Sequence, residues 1–442
     1  MRQKVKIVLS DLHLSVKPGW SNLRLIGEAL PHFLQQIRQE SDQLQQEVEL
    51  ILNGDTFDFL SVSLGNEHNP YFPDSSEITA LKQLKIIAFE YAEVFEALAN
   101  FLQTEAPQRR LVIVKGEHDV HLYWPAIKNR VRELLRASGE RASLLVFAGE
   151  FLNRRQVYIE HGHQQAEKIN RYPDFIDPRR PEKLELLYYP PASTFVVNLL
   201  ADKADQPWLV ADFKPITSLI WYALAWDFPL AIQLVLTYFN QAPQLAQDSF
   251  WQTLQDVDQH LDLSARYAQE SKFRREFHYH LLHYLHFTMP LLEHEVAPNL
   301  VNLLPSDPLA IGQAEQQHQQ TLLHEAALEI LKKEKAKVVI FGHTHHPSQQ
   351  IFGSGNIYIN TGSWNPDFSQ VSSENLQALF TNKAQVSDIP IRFPYARLDY
   401  DEQDNLTSVQ LLYFTPVHGR NFPSVTPTSK NSWLANLFSV IS

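Results

Sequence analysis

The chain contains no cysteine, which removes disulfides, thiolate nucleophiles and cysteine-ligated zinc from consideration. It also lacks an excess of positive charge: the formal net charge is -12, which argues against broad electrostatic capture of nucleic acid. An unbroken apolar run of membrane-spanning length is missing too. The most apolar stretch, residues 215–239, carries Asp227 and Pro229 in its middle, where one aspartate costs roughly 2.5–3.5 kcal/mol on insertion scales. A buried helical pair bent at Asp227-Phe228-Pro229 is expected there, with a lipid-touching surface as the alternative. At the start, Lys4 and Lys6 alternate with Val5 and Ile7 in a first strand, without an apolar leader or a small-residue cleavage site, so no signal peptide is expected. A cytoplasmic chain is the expectation, with peripheral membrane contact through the 215–239 stretch as an option.

What is present is an ordinary globular composition, 44% hydrophobic and 20% charged over 442 residues, enough for one domain with a large insertion or for two domains. The organising stretch is Lys6-Ile7-Val8-Leu9-Ser10-Asp11-Leu12-His13: a short apolar strand that ends in an aspartate and a histidine two residues apart. In open α/β sheets ligands collect outside the carboxyl ends of the strands, and later strands end in the same way. Residues 48–52 run into Asn53-Gly54-Asp55, residues 111–114 into Lys115-Gly116-Glu117-His118-Asp119, residues 156–159 into Glu160-His161-Gly162-His163, and residues 337–341 into Gly342-His343-Thr344-His345. Between them, residues 20–40, 78–102 and 125–135 carry apolar residues at helical spacing. From Gln164 to about Lys335 strand signals vanish and proline-punctuated helical segments take over. Residues 357–359, 391–399 and 408–414 then read as antiparallel strands completing a second sheet, and the proline-rich 415–442 as a tail in which Trp433, Leu434, Leu437 and Phe438 dock a last short helix.

Carboxylates, an acid or amide, and histidines at successive strand ends make an oxygen and nitrogen ligand set suited to Mn, Fe, Zn or similar divalent ions. In order, spacing and strand context the chain resembles the calcineurin-like metallophosphoesterases, through Asp11/His13, Gly54-Asp55, Gly116-Glu117-His118-Asp119, His161-Gly162 and Gly342-His343-Thr344-His345. The resemblance implies an α/β sandwich of two mixed sheets with helices outside, a discontinuous core (1–163 and 336–414) and an inserted helical cap (164–335) that selects substrate. It implies two divalent ions, with Mn2+ the first choice for both: one held by Asp11, His13, Asp55 and His345, the other by Asp55, Glu117, His161 and His343. Such a pair, roughly 3.5–4 Å apart, clamps a phosphoryl group and supplies hydroxide for attack on phosphorus. His118 would protonate the leaving oxygen and Asp119 would orient it.

The departure from the family pattern is Glu117, where asparagine is usual. Two divalent ions, two aspartates and a bridging hydroxide leave a net +1 with asparagine there, and glutamate takes it to zero. Such a centre should hold metal more tightly and attract a phosphate dianion less, so Glu117→Asn is expected to change turnover or metal content. A metal-binding scaffold with weakened catalysis is the alternative function. Similar bacterial enzymes acting on nucleotide-linked lipids, the UDP-diacylglucosamine diphosphatases, also place helices between these motifs, so the expected partner is a phosphorylated small molecule, nucleotide-linked or lipid. Arg179 and Arg180 are candidates for gripping a substrate phosphate or for solvated surface. His163 is either a support for the ligands or a strand-end residue. His278, His280, His283 and His286 share a helix, as ordinary amphipathic residues or as a further metal site.

Overall fold

A computed structural model describes residues 3–16, 22–62, 64, 74–202, 213–239, 254, 260–287, 305–353, 355–366, 371–380, 389 and 391–416. Its strands are β1 (Lys4–Leu9), β2 (Glu47–Asn53), β3 (Arg109–Val114), β4 (Leu145–Phe147), β5 (Phe151–Arg154), β6 (Val157–Glu160), β7 (Arg179–Arg180), β8 (Lys183–Leu187), β9 (Val338–Phe341), β10 (Ser348–Ile351), β11 (Ile357–Asn360), β12 (Phe393–Tyr400) and β13 (Leu406–Phe414). One sheet runs β13-β12-β1-β2-β3-β4 and the other β10-β11-β9-β6-β5. In the first, β1 to β4 are parallel and β12 and β13 antiparallel. In the second, β6, β9 and β11 are parallel between antiparallel edges.

The central strands are apolar on both faces because each is covered twice. Val8, Ile51 and Val112 of the first sheet meet Val157, Ile159, Val338 and Ile340 of the second, forming the layer between the sheets. Their chain neighbours Ile7, Leu50 and Leu111 point the other way, as the period of two requires, into the cluster under the helices Asn22–Leu44 and Ala92–Phe101. On the outer face of the second sheet, Leu323, Ala327 and Leu331 of the helix Pro308–Lys333 cover Val339 and Phe341. The result is helix, sheet, sheet, helix: the expected α/β sandwich.

Three local expectations are corrected. The strands 391–399 and 408–414 do not complete the second sheet; β12 and β13 extend the first, pairing antiparallel beside β1, while β11 joins the second parallel to β9. The helix expected over 78–102 is two, Glu77–Glu90 and Ala92–Phe101, broken at Tyr91 with φ -105° and ψ 35°. The segment between β6 and β9, expected as a helical cap, is not purely helical, since β7 and β8 form a hairpin. Strands of two and five residues are too short to show a period. The apolar pair is there, as helices Ser218–Trp226 and Phe228–Phe239 on either side of Asp227, and their Leu219, Ile220, Trp221, Ile232 and Val235 are buried in the same cluster as the first sheet's outer face. Among the described residues no helix is long and apolar enough to cross a membrane. Residues Trp433, Leu434, Leu437 and Phe438 lie outside the described residues.

In the segment between β6 and β9 His278 is buried, its Nδ1–H donating to the Pro305 carbonyl (3.0 Å) and its Nε2 accepting from the Tyr267 hydroxyl (2.6 Å). Burial pushes the imidazole down to about 4 from an ordinary 6.5, against the Pro305 hydrogen bond. Between those values the unfolded chain binds a proton that the folded chain refuses. Stability is therefore full above pH 6.5 and falls as the pH drops towards 4, by up to roughly 3 kcal/mol from this residue. Urea midpoints at pH 7 and pH 4.5 should show a drop that is smaller in His278→Gln; equal drops would assign the acid sensitivity elsewhere. Among the described residues neither His278 nor His280 belongs to a metal-type cluster, and the side chains of His283 and His286 lie outside the described residues.

Candidate metal centre

The strand ends converge as the sequence predicts. Asp11 and His13 follow β1, Asp55 follows β2, Glu117 and His118 follow β3, His161 follows β6, and His343 and His345 follow β9. Their ligand atoms form interlocking groups within 4.8 Å of one another: Asp11 with His13 and His345; Asp11 with Asp55 and His161; Glu117 with His161 and His343; Asp55 with Glu117 and His118. Every one of these side chains is buried.

Each carboxylate is pinned by one oxygen and leaves the other facing the cluster. Asp11 Oδ2 accepts the His343 N–H (3.0 Å), and Asp55 Oδ1 accepts the His118 N–H (2.8 Å). Asp11 Oδ1, Asp55 Oδ2 and Glu117 Oε2, together with His161 Nε2, are buried without a hydrogen-bond partner. They lie close together nevertheless, with His161 Nε2 2.8 Å from Glu117 Oε2 and 3.2 Å from Asp55 Oδ2. The orientation of His161 is set from behind: its Nδ1–H donates to the Asn53 carbonyl (2.9 Å), which turns Nε2 inward. The ring nitrogens Nε2 of His13 and His345 face each other at 3.0 Å. Buried acceptors without donors cost free energy, and a divalent cation is the group that would satisfy them together. The donor set fits such an ion.

Close approach explains the glycines. A Cβ on Gly116 would overlap Asp55 Oδ1, and one on Gly54, at φ 82°, would overlap the His161 ring. Side chains from other strands occupy the space those added groups would take. The backbone is strained here as well: Asp11, His13, Asp55, His343 and His345 have φ of 51°, 44°, 49°, 68° and 59°, the left-handed region in which non-glycine residues are uncommon.

The charges respond to one another. Burial would push the Glu117 carboxyl up, but His343, His161 and Lys214 hold it well below the usual carboxylate range. Burial would push the His118 imidazole down, and the Asp58 and Asp55 carboxylates more than offset this, so its pKa is raised. Burial leaves His163 neutral, pushed down to about 3, with Nδ1 3.5 Å from Glu117 Oε2 and the ring against Phe175.

The partner expected for His118 is corrected. Asp119 accepts the backbone N–H groups of Gly116 (2.6 Å) and Thr56 (2.8 Å), so it ties the β3 loop to the β2 loop. The carboxylate at the His118 ring is Asp58, whose Oδ1 accepts from Nδ1 at 2.9 Å. Its one sequence signal was an acid three residues after Asp55. Arg179 and Arg180 are engaged elsewhere: Arg179 forks onto Asp177 (2.6 and 2.7 Å) over the Tyr123 ring, and Arg180 donates to the Leu187 carbonyl. Two residues of the segment between β6 and β9 that sequence reasoning passed over do reach the centre. The Tyr172 hydroxyl donates to the Glu117 carbonyl (3.2 Å), and Lys214 Nζ lies 3.3 Å from Glu117 Oε1. Neither carries a local motif.

No protein-family model and no curated protein matches the chain. Comparison with solved structures finds a dimetal phosphatase from Danio rerio, 11% identical, with a TM-score of 0.32 over 93% of this chain and 99% of that one.

Proposed function

We propose that the chain is a metal-dependent phosphohydrolase that cleaves a phosphate ester or anhydride at a dinuclear centre, with the inserted segment selecting the substrate. The observation that carries this reading is the set of buried, partnerless acceptors aimed at one another from four strand ends, beside a histidine and carboxylate pair of acid–base type. Asp11, His13, Asp55 and His345 would hold one ion, and Asp55, Glu117, His161 and His343 the other. The oxygen and nitrogen donors suit manganese. Such ions neutralise phosphoryl oxygens and acidify water. The chain's own part is to fix the Asp11 and Asp55 carboxylates through backbone N–H groups, to exclude bulk water by burial, and to hold a proton on His118. Asp58 grips Nδ1 of that ring, which leaves Nε2 to pass a proton to a leaving oxygen. The substrate class consistent with this is a phosphorylated small molecule, nucleotide-linked or lipid.

The test is hydrolysis of a generic aryl phosphodiester by protein stripped of metal and refilled with Mn2+, with bound metal counted in parallel. Two equivalents of Mn2+ per chain and activity that returns with them are expected. Metal uptake without turnover on this ester or on aryl phosphates and pyrophosphates would favour the scaffold reading that Glu117 motivates.

A further inference from the structure

Lys214 is delivered to the centre by the inserted segment, and its surroundings fix it there. Phe213 before it is buried against Tyr222 and Phe380, with ring centroids 5.5 and 6.2 Å away. Pro215 and Ile216 after it lead into the helix Ser218–Trp226. That helix is moored to the helix Pro308–Lys333 by Glu315, which accepts from Thr217 Oγ1 (2.9 Å) and Trp221 Nε1 (2.7 Å). The ammonium then stands 3.3 Å from Glu117 Oε1, with its side chain 11% exposed. Asp55 and Asp11 are the next anionic groups acting on it.

We propose that Lys214 is a positioning residue that works through Glu117: its charge offsets the carboxylate, so that the pair presents the phosphate with the net charge of a neutral ligand at position 117. This rests on the metal-centre reading above. With Glu117 alone the centre sums to zero, and Lys214 returns it to +1. An ammonium at this distance acts on both metal and phosphate, in opposite senses. It lowers the affinity of the carboxylates for a cation and raises that of the loaded centre for a dianion.

The test measures two affinities in wild type, K214M, K214R, E117N and the double variant E117N/K214M: Mn2+ by competition with a chromogenic chelator, and inorganic phosphate on the Mn2+-loaded protein by calorimetry. K214M is expected to bind Mn2+ about tenfold more tightly and phosphate about tenfold more weakly. K214R should stay near wild type. E117N should bind Mn2+ more weakly, and the double variant, restored in charge, should return towards wild type in both affinities. A K214M protein unchanged in both would overturn the proposal, as would K214R behaving like K214M or a double variant no nearer wild type than K214M. A wild-type chain that takes up no Mn2+ overturns the metal-centre reading itself, a result distinct from these.

Discussion

Asp55→Asn is expected to lower metal-dependent hydrolysis by about a thousandfold or more and to leave no more than one tightly held ion. Asp55 lies between the two halves of the cluster, grouped with Asp11 and His161 on one side and with Glu117 and His118 on the other. Asparagine can still accept the His118 N–H through its carbonyl oxygen, so the β3 loop keeps its anchor. What it loses is the anionic oxygen that faces His161. The metal-free variant should therefore melt below the wild-type temperature near neutral pH: burial and Glu117 push the Asp55 carboxyl up, but His161 and His118 hold it below its ordinary value, and asparagine gives up that attraction. Metal counting, turnover and a melting curve on the same preparation check this. Two ions and unchanged turnover in the variant would remove Asp55 from the centre.

The second large effect belongs to His118. His118→Asn should cost about a hundredfold to ten-thousandfold in kcat while metal content is kept, the usual range for loss of a positioned acid or base. Asp58→Asn should reproduce much of that loss, because an amide oxygen can still meet Nδ1 but the carboxylate charge that holds the ring's proton is gone. Asp119→Asn should behave differently. Its carboxylate receives backbone N–H groups from two loops, so the change should appear first as a lower melting temperature, by the equivalent of about 1–3 kcal/mol. If Asp119→Asn matched His118→Asn in kcat at full stability while Asp58→Asn did nothing, the roles would be reversed.

The contrast between Asp58 and Asp119 shows what a sequence carries about such a site. Asp11, His13, Asp55, His161, His343 and His345 were legible because a strand end is a local event: an apolar run stops, and the next polar residues emerge on one edge. The two sheets followed from the same runs. Which acid turns towards His118 is decided instead by the loop after Gly54, whose path no period encodes, and the residue adjacent in sequence proved the wrong one. Lys214 and Tyr172 were out of reach for a different reason. Each is separated from Glu117 by 55 residues or more, and only the docking of helices against the core brings them back. The misassigned sheet of β12 and β13 is the same kind of miss, because alternation identifies a strand without naming its neighbour.

The left-handed backbone at five of the seven expected ligands gives this site a direction of decay. At such positions glycine is the more comfortable residue, and each aspartate or histidine kept there costs of order 1 kcal/mol or more. A lineage that no longer required the ion would gain folding stability by drifting to glycine at positions 11, 13, 55, 343 and 345, one neutral step after another. In this chain all five hold an aspartate or a histidine. The chain thus carries, at the cluster itself, backbone strain that glycine would relieve.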